Sequence, residues 1–258
     1  MIQSLPLLRL ATSTAEVGNW QRFLNDQGML DQFSKPLKVD ESFGPKTAFA
    51  TMHYQTARNL MSTGVVDELT RKRAIADGFI AFIQARNADV YYPGEQTPRL
   101  IVIHTMENAE KPYSAENVAL WFGGRAASPA PMASAHYCVD EDSVVQCVRD
   151  TDRAWHAGPV NGRSIGVEHA GYAKQTVVDW FDKPSQAILW RSARLTARLC
   201  KKFEIPVVMV KLEDIATSKA EGFCGHVHVT QAYGHKGGHW DPGPNFPYEH
   251  YLELVRSA

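Results

Sequence analysis

The sequence predicts an α/β domain, a central mixed sheet flanked by helices, preceded by a small all-α module of three helices. Two changes of pattern carry this reading. Between residues 12 and 78 the apolar side chains recur at helical spacing, and glycine-marked loops separate the stretches. From Arg99 onward, short apolar runs of strand length alternate with longer amphipathic stretches, the pattern of an α/β layer. A chain of 258 residues is too long for one average domain and comfortable for two. The expected division is a helical module at 1–78, a helical connector at 79–92 and the α/β domain at 93–258.

In the first module, Val17, Trp20, Phe23 and Leu24 fall on one helical face, and Gly28 closes the segment as a C-terminal cap signal. Thr47, Ala50, Tyr54 and Ala57 mark a second helix ending near Leu60, and residues 68–75 a third. After the connector, Pro93, Gly94 and Pro98 break the chain. Residues 100–103 form a continuous apolar run, as in a strand buried on both faces. Residues 114–121 read as a helix with Ser114 at its N-cap. Residues 135–139 and 144–149 read as a hairpin around a turn at Asp140–Ser143, and 164–168 as a further strand. Residues 186–203 make a long amphipathic helix carrying Ile188, Leu189, Leu195 and Leu199. A short strand at 207–210 and a terminal helix at 249–255 complete the order.

Composition narrows the function. Hydrophobic residues make up 44% and charged residues 21%, an ordinary globular balance with enough apolar mass for a core. The net charge of −1 argues against nucleic acid or an anionic membrane surface as partner. No apolar run approaches the roughly 20 residues that span a bilayer, so no membrane insertion is expected. The first ten residues lack a basic start and a small-residue cleavage site, which reads as cytoplasmic synthesis without a signal peptide. The chain reads as a monomer. Four cysteines, Cys138, Cys147, Cys200 and Cys224, are too few for a disulfide scaffold and read as small buried residues. Cys224, two residues before His226, is the one cysteine to consider as a metal ligand.

Three distant stretches read as one metal site: His104 at the end of the apolar run, His226 after Gly225, and Asp241 within residues 239–243. Two imidazoles and a carboxylate suit catalytic zinc with one coordination position left open. Alone, His104 is more often a hydrogen-bonded structural histidine; its weight comes from its company. His136 reads as structural, His169 as facing away from Glu168, and His228 as a contact outside the ligand set. His235 also falls in the stretch between His226 and Asp241.

Two resemblances organise these residues. Residues 12–78 resemble the peptidoglycan-binding domain of cell-wall hydrolases, through Trp20, Gln21, Phe23 and Leu24, then Asp40 with Phe43, Gly44, Pro45, Lys46 and Thr47, then Gly64–Asp67. Asp40, Phe43 and Thr47 are the candidate residues it gives that domain. The α/β domain resembles the zinc-dependent N-acetylmuramoyl-L-alanine amidases of type 2, which share a fold with peptidoglycan-recognition proteins. The matching blocks are residues 101–105 around His104, 134–137 around His136, 153–158 around Trp155 and His156, 164–168 ending in Glu168, and Gly225 with His226 followed by 239–243.

This resemblance implies Zn2+ held by His104, His226 and Asp241, with Glu168 as general base and then acid. It implies peptidoglycan as substrate and the bond between N-acetylmuramic acid and L-alanine as the one cut. Trp155, His156 and Asn161 are implied as substrate contacts. One phage branch of the family uses cysteine at the third ligand position and a tyrosine before the His136 position; here these are Asp241 and Ala135. Relatives often carry lysine two residues before the aspartate ligand, where this chain has His239. His239 is therefore the candidate to face the developing oxyanion, and its titration near neutrality bears on the alkaline limb of activity. A compact lytic enzyme with no export signal looks like a phage endolysin, which acts on the wall after release. A bacterial or prophage recycling amidase and a non-catalytic recognition module remain the alternatives.

Overall fold

The computed structural model describes residues 5–90, 97–126, 129–234 and 238–258. Pro93, Gly94 and His235 lie outside the described residues. The chain forms two compact units, Met1–Phe82 and Ile83–Ala258.

Three helices build the first unit: Ala15–Asp26, Pro45–Ala57 and Glu68–Ala76. Thr14 and Asp67 cap the first and third with side-chain oxygens, and Pro45 opens the second, where its missing N–H costs nothing. Trp20, Phe23, Tyr54 and Phe79 meet edge to face or tilted in the core, with ring centroids 5.2–5.7 Å apart. The loop before the second helix is held by buried Gln21. Its amide donates to Asp40 Oδ1 and Thr47 Oγ1, and its carbonyl oxygen accepts from the backbone of Asp40 and Glu41. Phe43 and Thr47 are 1% and 2% exposed. They therefore build the loop and offer no surface to a ligand, which corrects their placing as candidate binding residues.

In the second unit five strands lie side by side in the order Val144–Gln146, Tyr137–Val139, Ser164–His169, Leu100–Thr105, Gly222–Gly225. The first pair is antiparallel and the rest parallel, as a mixed sheet requires. Leu100–Ile103 is wholly buried, matching the apolar run. The Lys183–Phe203 helix packs through Ile188, Leu189, Leu195 and Leu199, and Tyr248–Ser257 closes the order. Among the described residues no helix is long and apolar enough to cross a membrane.

The structure departs from the sequence reading in three places. Residues 79–90 hold short strands at Ala81–Phe82 and Ala88–Asp89 in place of a helix. The reason is tertiary: the Ile83 and Ala85 N–H groups donate to the carbonyls of Gln146 and Cys147, partners far along the chain. Residues 207–210 form no strand, only a single bridge from Met209 to Phe223. Ser114 is not the cap of its helix. Tyr113 takes that position with φ 68°, and the Ala115 N–H donates to Asp140 Oδ2. Asp140 Oδ1 also accepts from the Asp142 and Ser143 N–H groups, so one carboxylate holds both the hairpin turn and the helix start.

Candidate metal centre

The parallel register sets His104 beside Glu168, so both side chains leave the same face of the sheet near the carboxyl ends of their strands. The Gly222–Gly225 strand runs alongside, and its end passes directly into the helix that begins with His226. A Cβ at Gly225 would stand 2.1 Å from the Tyr248 hydroxyl, so only glycine lets the strand reach this turn. The Val227 N–H donates to the Asp241 carbonyl at 2.8 Å and ties the Asp241 segment to the start of the helix. His228 Nδ1 accepts from the Gly225 N–H, which occupies it as a cap. Cys224 lies in an apolar cluster with Leu100 and Val102, and burial pushes its thiol up to about 12. It is a core residue.

The result brings His104, His226 and Asp241 together, all buried, with ligand atoms within 4.8 Å of one another. His104 Nδ1 lies 3.0 Å from Asp241 Oδ2, and His226 Nδ1 lies 3.3 Å from Asp241 Oδ1. A tetrahedral ion with bonds of about 2.0–2.1 Å separates its ligands by about 3.3 Å, so these residues fit zinc in spacing and in donor type. Burial raises the Asp241 carboxyl, but the facing imidazoles outweigh it and hold the group well below the usual carboxylate range. Burial pushes His104 below the ordinary imidazole range despite the pull of Asp241. The centre therefore presents an ionised carboxylate facing two imidazoles.

Glu168 lines the same cleft, partly buried, and its Oε2 has no hydrogen-bond partner among the described residues. Burial and then the charges of Asp241 and Glu107 raise its carboxyl well above the usual range. His239 stacks on His226 at 4.1 Å between centroids, with Nδ1 3.7 Å from Asp241 Oδ1. Its side chain is exposed, and burial of part of the ring together with His226 lowers its pKa.

His156 is buried beside the centre, its Nδ1 3.0 Å from His104 Nε2. Asn161 accepts from the backbone N–H groups of His156 and Ala157 and fixes this loop. The indole N–H of Trp155 donates to Asp89. The His156 ring sits over Gly166, where a Cβ would approach its Cγ to 2.6 Å. Gly166→Ala should displace His156 and cost about 1–3 kcal/mol of stability by overpacking. Denaturant unfolding checks it; an unchanged midpoint would show that the notch is not needed.

His136 is structural: its Nε2–H donates to the Asp152 carbonyl, and its Nδ1 accepts from the Gly166 N–H. Since that carbonyl only accepts, Nε2 carries the proton. Burial pushes its imidazole down from 6.5 to about 4. The unfolded chain then binds more protons than the folded one between these values, so this group's contribution falls as pH drops, by up to about 3 kcal/mol. Asp140, pushed up to about 7 by burial and by Glu116, acts in the opposite sense, its contribution falling as pH rises. Histidine NMR should find His136 neutral at pH 5.5; titration above pH 6 would contradict the burial argument.

The cleft has a volume of about 770 Å³ and takes in His104, His226, Asp241, Glu168, His156 and Asn161. Its wall includes Val118, Trp121, Phe122 and Met132, which the sequence reading did not single out. Trp121 and Met132 are exposed apolar residues in helix and loop, and local pattern gives them no distinguishing mark.

A buried pair of histidines and a carboxylate could hold a metal ion, and a second carboxyl lies beside them with an oxygen unpartnered among the described residues. The family model for N-acetylmuramoyl-L-alanine amidase matches residues 94–244, and that for a putative peptidoglycan binding domain matches residues 13–73. The chain belongs to the N-acetylmuramoyl-L-alanine amidase family and carries a peptidoglycan-binding domain ahead of the amidase domain. It is 28% identical to N-acetylmuramoyl-L-alanine amidase A of Achromobacter lyticus over 168 residues, 61% of this chain and 83% of the relative. Among solved structures, the hydrolase AmiA of Staphylococcus aureus in complex with its ligand aligns with a TM-score of 0.50 at 19% identity, covering 67% of this chain and 78% of that one. A selenomethionine derivative of AmpD aligns with a TM-score of 0.49 at 22% identity, covering 68% and 94%.

Proposed function

We propose that this chain is a zinc-dependent, wall-anchored amidase that cuts the bond between N-acetylmuramic acid and L-alanine, as a phage endolysin does. The observation that carries the reading is the convergence of His104, His226 and Asp241 beside Glu168 in one cleft. His104, His226 and Asp241 would hold the ion, which when bound polarises the amide carbonyl and lowers the pKa of water. Glu168 takes a proton from the attacking water on its unpartnered oxygen and delivers it to the leaving L-alanine nitrogen. His239, above the His226 ring, donates a hydrogen bond toward the developing oxyanion. Trp155 and Asn161 line the approach to the scissile amide, and the chain works as a monomer on peptidoglycan.

The peptidoglycan-binding domain supports lysis of polymer over recycling of soluble fragments, because an anchor raises the local concentration of cleavable bonds only on a polymer. The test is turbidity loss of purified cell walls, with and without chelator, beside digestion of soluble muropeptides. Clearing that stops with chelator and preference for walls are expected. Binding without clearing would favour a recognition protein, and chelator-insensitive release of reducing sugar ends a muramidase. His239→Ala should lower turnover about tenfold or more while zinc stays bound; loss of zinc would make His239 a ligand and overturn its assigned role.

A further inference from the structure

The His104 ring is wired through two further side chains to a backbone carbonyl. His104 Nε2 lies 3.0 Å from His156 Nδ1, His156 Nε2 lies 3.1 Å from Ser164 Oγ, and Ser164 Oγ lies 2.8 Å from the Val160 carbonyl oxygen. His104, His156 and Ser164 are 2%, 9% and 0% exposed.

The carbonyl at the end sets the direction of the whole chain. A carbonyl oxygen has no proton, so the Ser164 hydroxyl donates to it and turns a lone pair toward His156. His156 then carries its proton on Nε2 and presents Nδ1 as an acceptor. His104 in turn donates from Nε2, which leaves a lone pair on its Nδ1. That atom is the one 3.0 Å from Asp241 Oδ2. A lone pair facing a carboxylate at this distance is satisfied by a cation between them, not by the wiring itself.

We propose that Ser164 is a positioning residue for the metal centre: acting through His156, it sets the tautomer of His104 that leaves Nδ1 free to bind a cation. The inference rests on His104 being a ligand. The Gly166 notch belongs to the same device, since a Cβ there would collide with the His156 ring where it reaches both His104 and Ser164. In metal sites generally, the partner of the far ring nitrogen fixes orientation and basicity, and its loss lowers affinity 10–100-fold.

Zinc affinity measured by chelator competition, together with nitrogen-15 NMR of the histidines, tests it. Wild type should bind zinc and show the Nε2–H form at both His104 and His156. Ser164→Ala should weaken zinc about 10–100-fold, while the thermal midpoint of the metal-free protein moves little. In a His156→Leu background the Ser164 change should have no further effect on zinc. A His156 Nδ1–H form in zinc-loaded wild type, or unchanged affinity in a folded Ser164→Ala, would overturn the proposal. If Ser164→Ala does not fold, the wild-type spectrum alone decides. Wild type that binds no zinc would instead sink the reading of the centre itself.

Discussion

Glu168→Gln should abolish hydrolysis, by about 10²–10⁴-fold in turnover, with zinc content and fold unchanged. The amide keeps the shape of the side chain and removes only its capacity to take a proton. Glu168 Oε2 has no hydrogen-bond partner among the described residues, so none is lost there with the charge. The carboxyl is raised by burial and by the charges of Asp241 and Glu107, so an uncharged replacement should leave stability equal or higher at neutral pH. The sign of the pH effect follows from the same shift. In the metal-free protein this carboxyl should therefore take up its proton above the ordinary glutamate range, and binding of a dication beside it should draw that uptake to lower pH. Full activity in a zinc-loaded Glu168→Gln protein would remove this residue from the chemistry.

Asp241→Ala should release the metal and with it the activity. Asp241 is the one carboxylate of the three and faces both imidazoles, so its loss leaves two ligands where structural and catalytic zinc sites use at least three. The expected result is zinc below stoichiometry after dialysis and wall clearing at background. The two replacements therefore divide the centre: one keeps metal and loses chemistry, the other loses both. Retained stoichiometric zinc in Asp241→Ala would mean that the ligand set is drawn wrongly.

How much of this could be read in the sequence depends on whether the cause is local. The cluster of His104, His226 and Asp241 beside Glu168 was legible because buried strands carry His104 and Glu168 one residue before their ends, and the short blocks around His226 and Asp241 are distinctive. The three helices of the first unit and the Ser114–Phe122, Lys183–Phe203 and Tyr248–Ser257 helices of the second followed from local pattern, with ends moved by only a few residues, while the short helix beginning at His226 was not read. The strand at 88–89 was not legible, because its backbone partner at 153–154 lies more than 60 residues away and local pattern favours a helix there. Asp140 as the cap of a helix 25 residues earlier is missed for the same reason. Within the site, Ser164 and Gly166 carry no chemical signal of their own; their roles arise only once the His156 ring is placed against them. Phe43 and Thr47 show the converse, a recognisable motif whose residues serve the loop and face inward.

Zinc dependence of bond cleavage is the most direct test of the central claim. Purified protein is stripped of metal, divided, and one half reloaded with one equivalent of zinc; both are then given purified peptidoglycan and the products weighed by mass spectrometry. Free stem peptides with new L-alanine amino termini are expected from the reloaded half and none from the stripped half. Equal release from both, or sugar reducing ends in place of new amino termini, would contradict it.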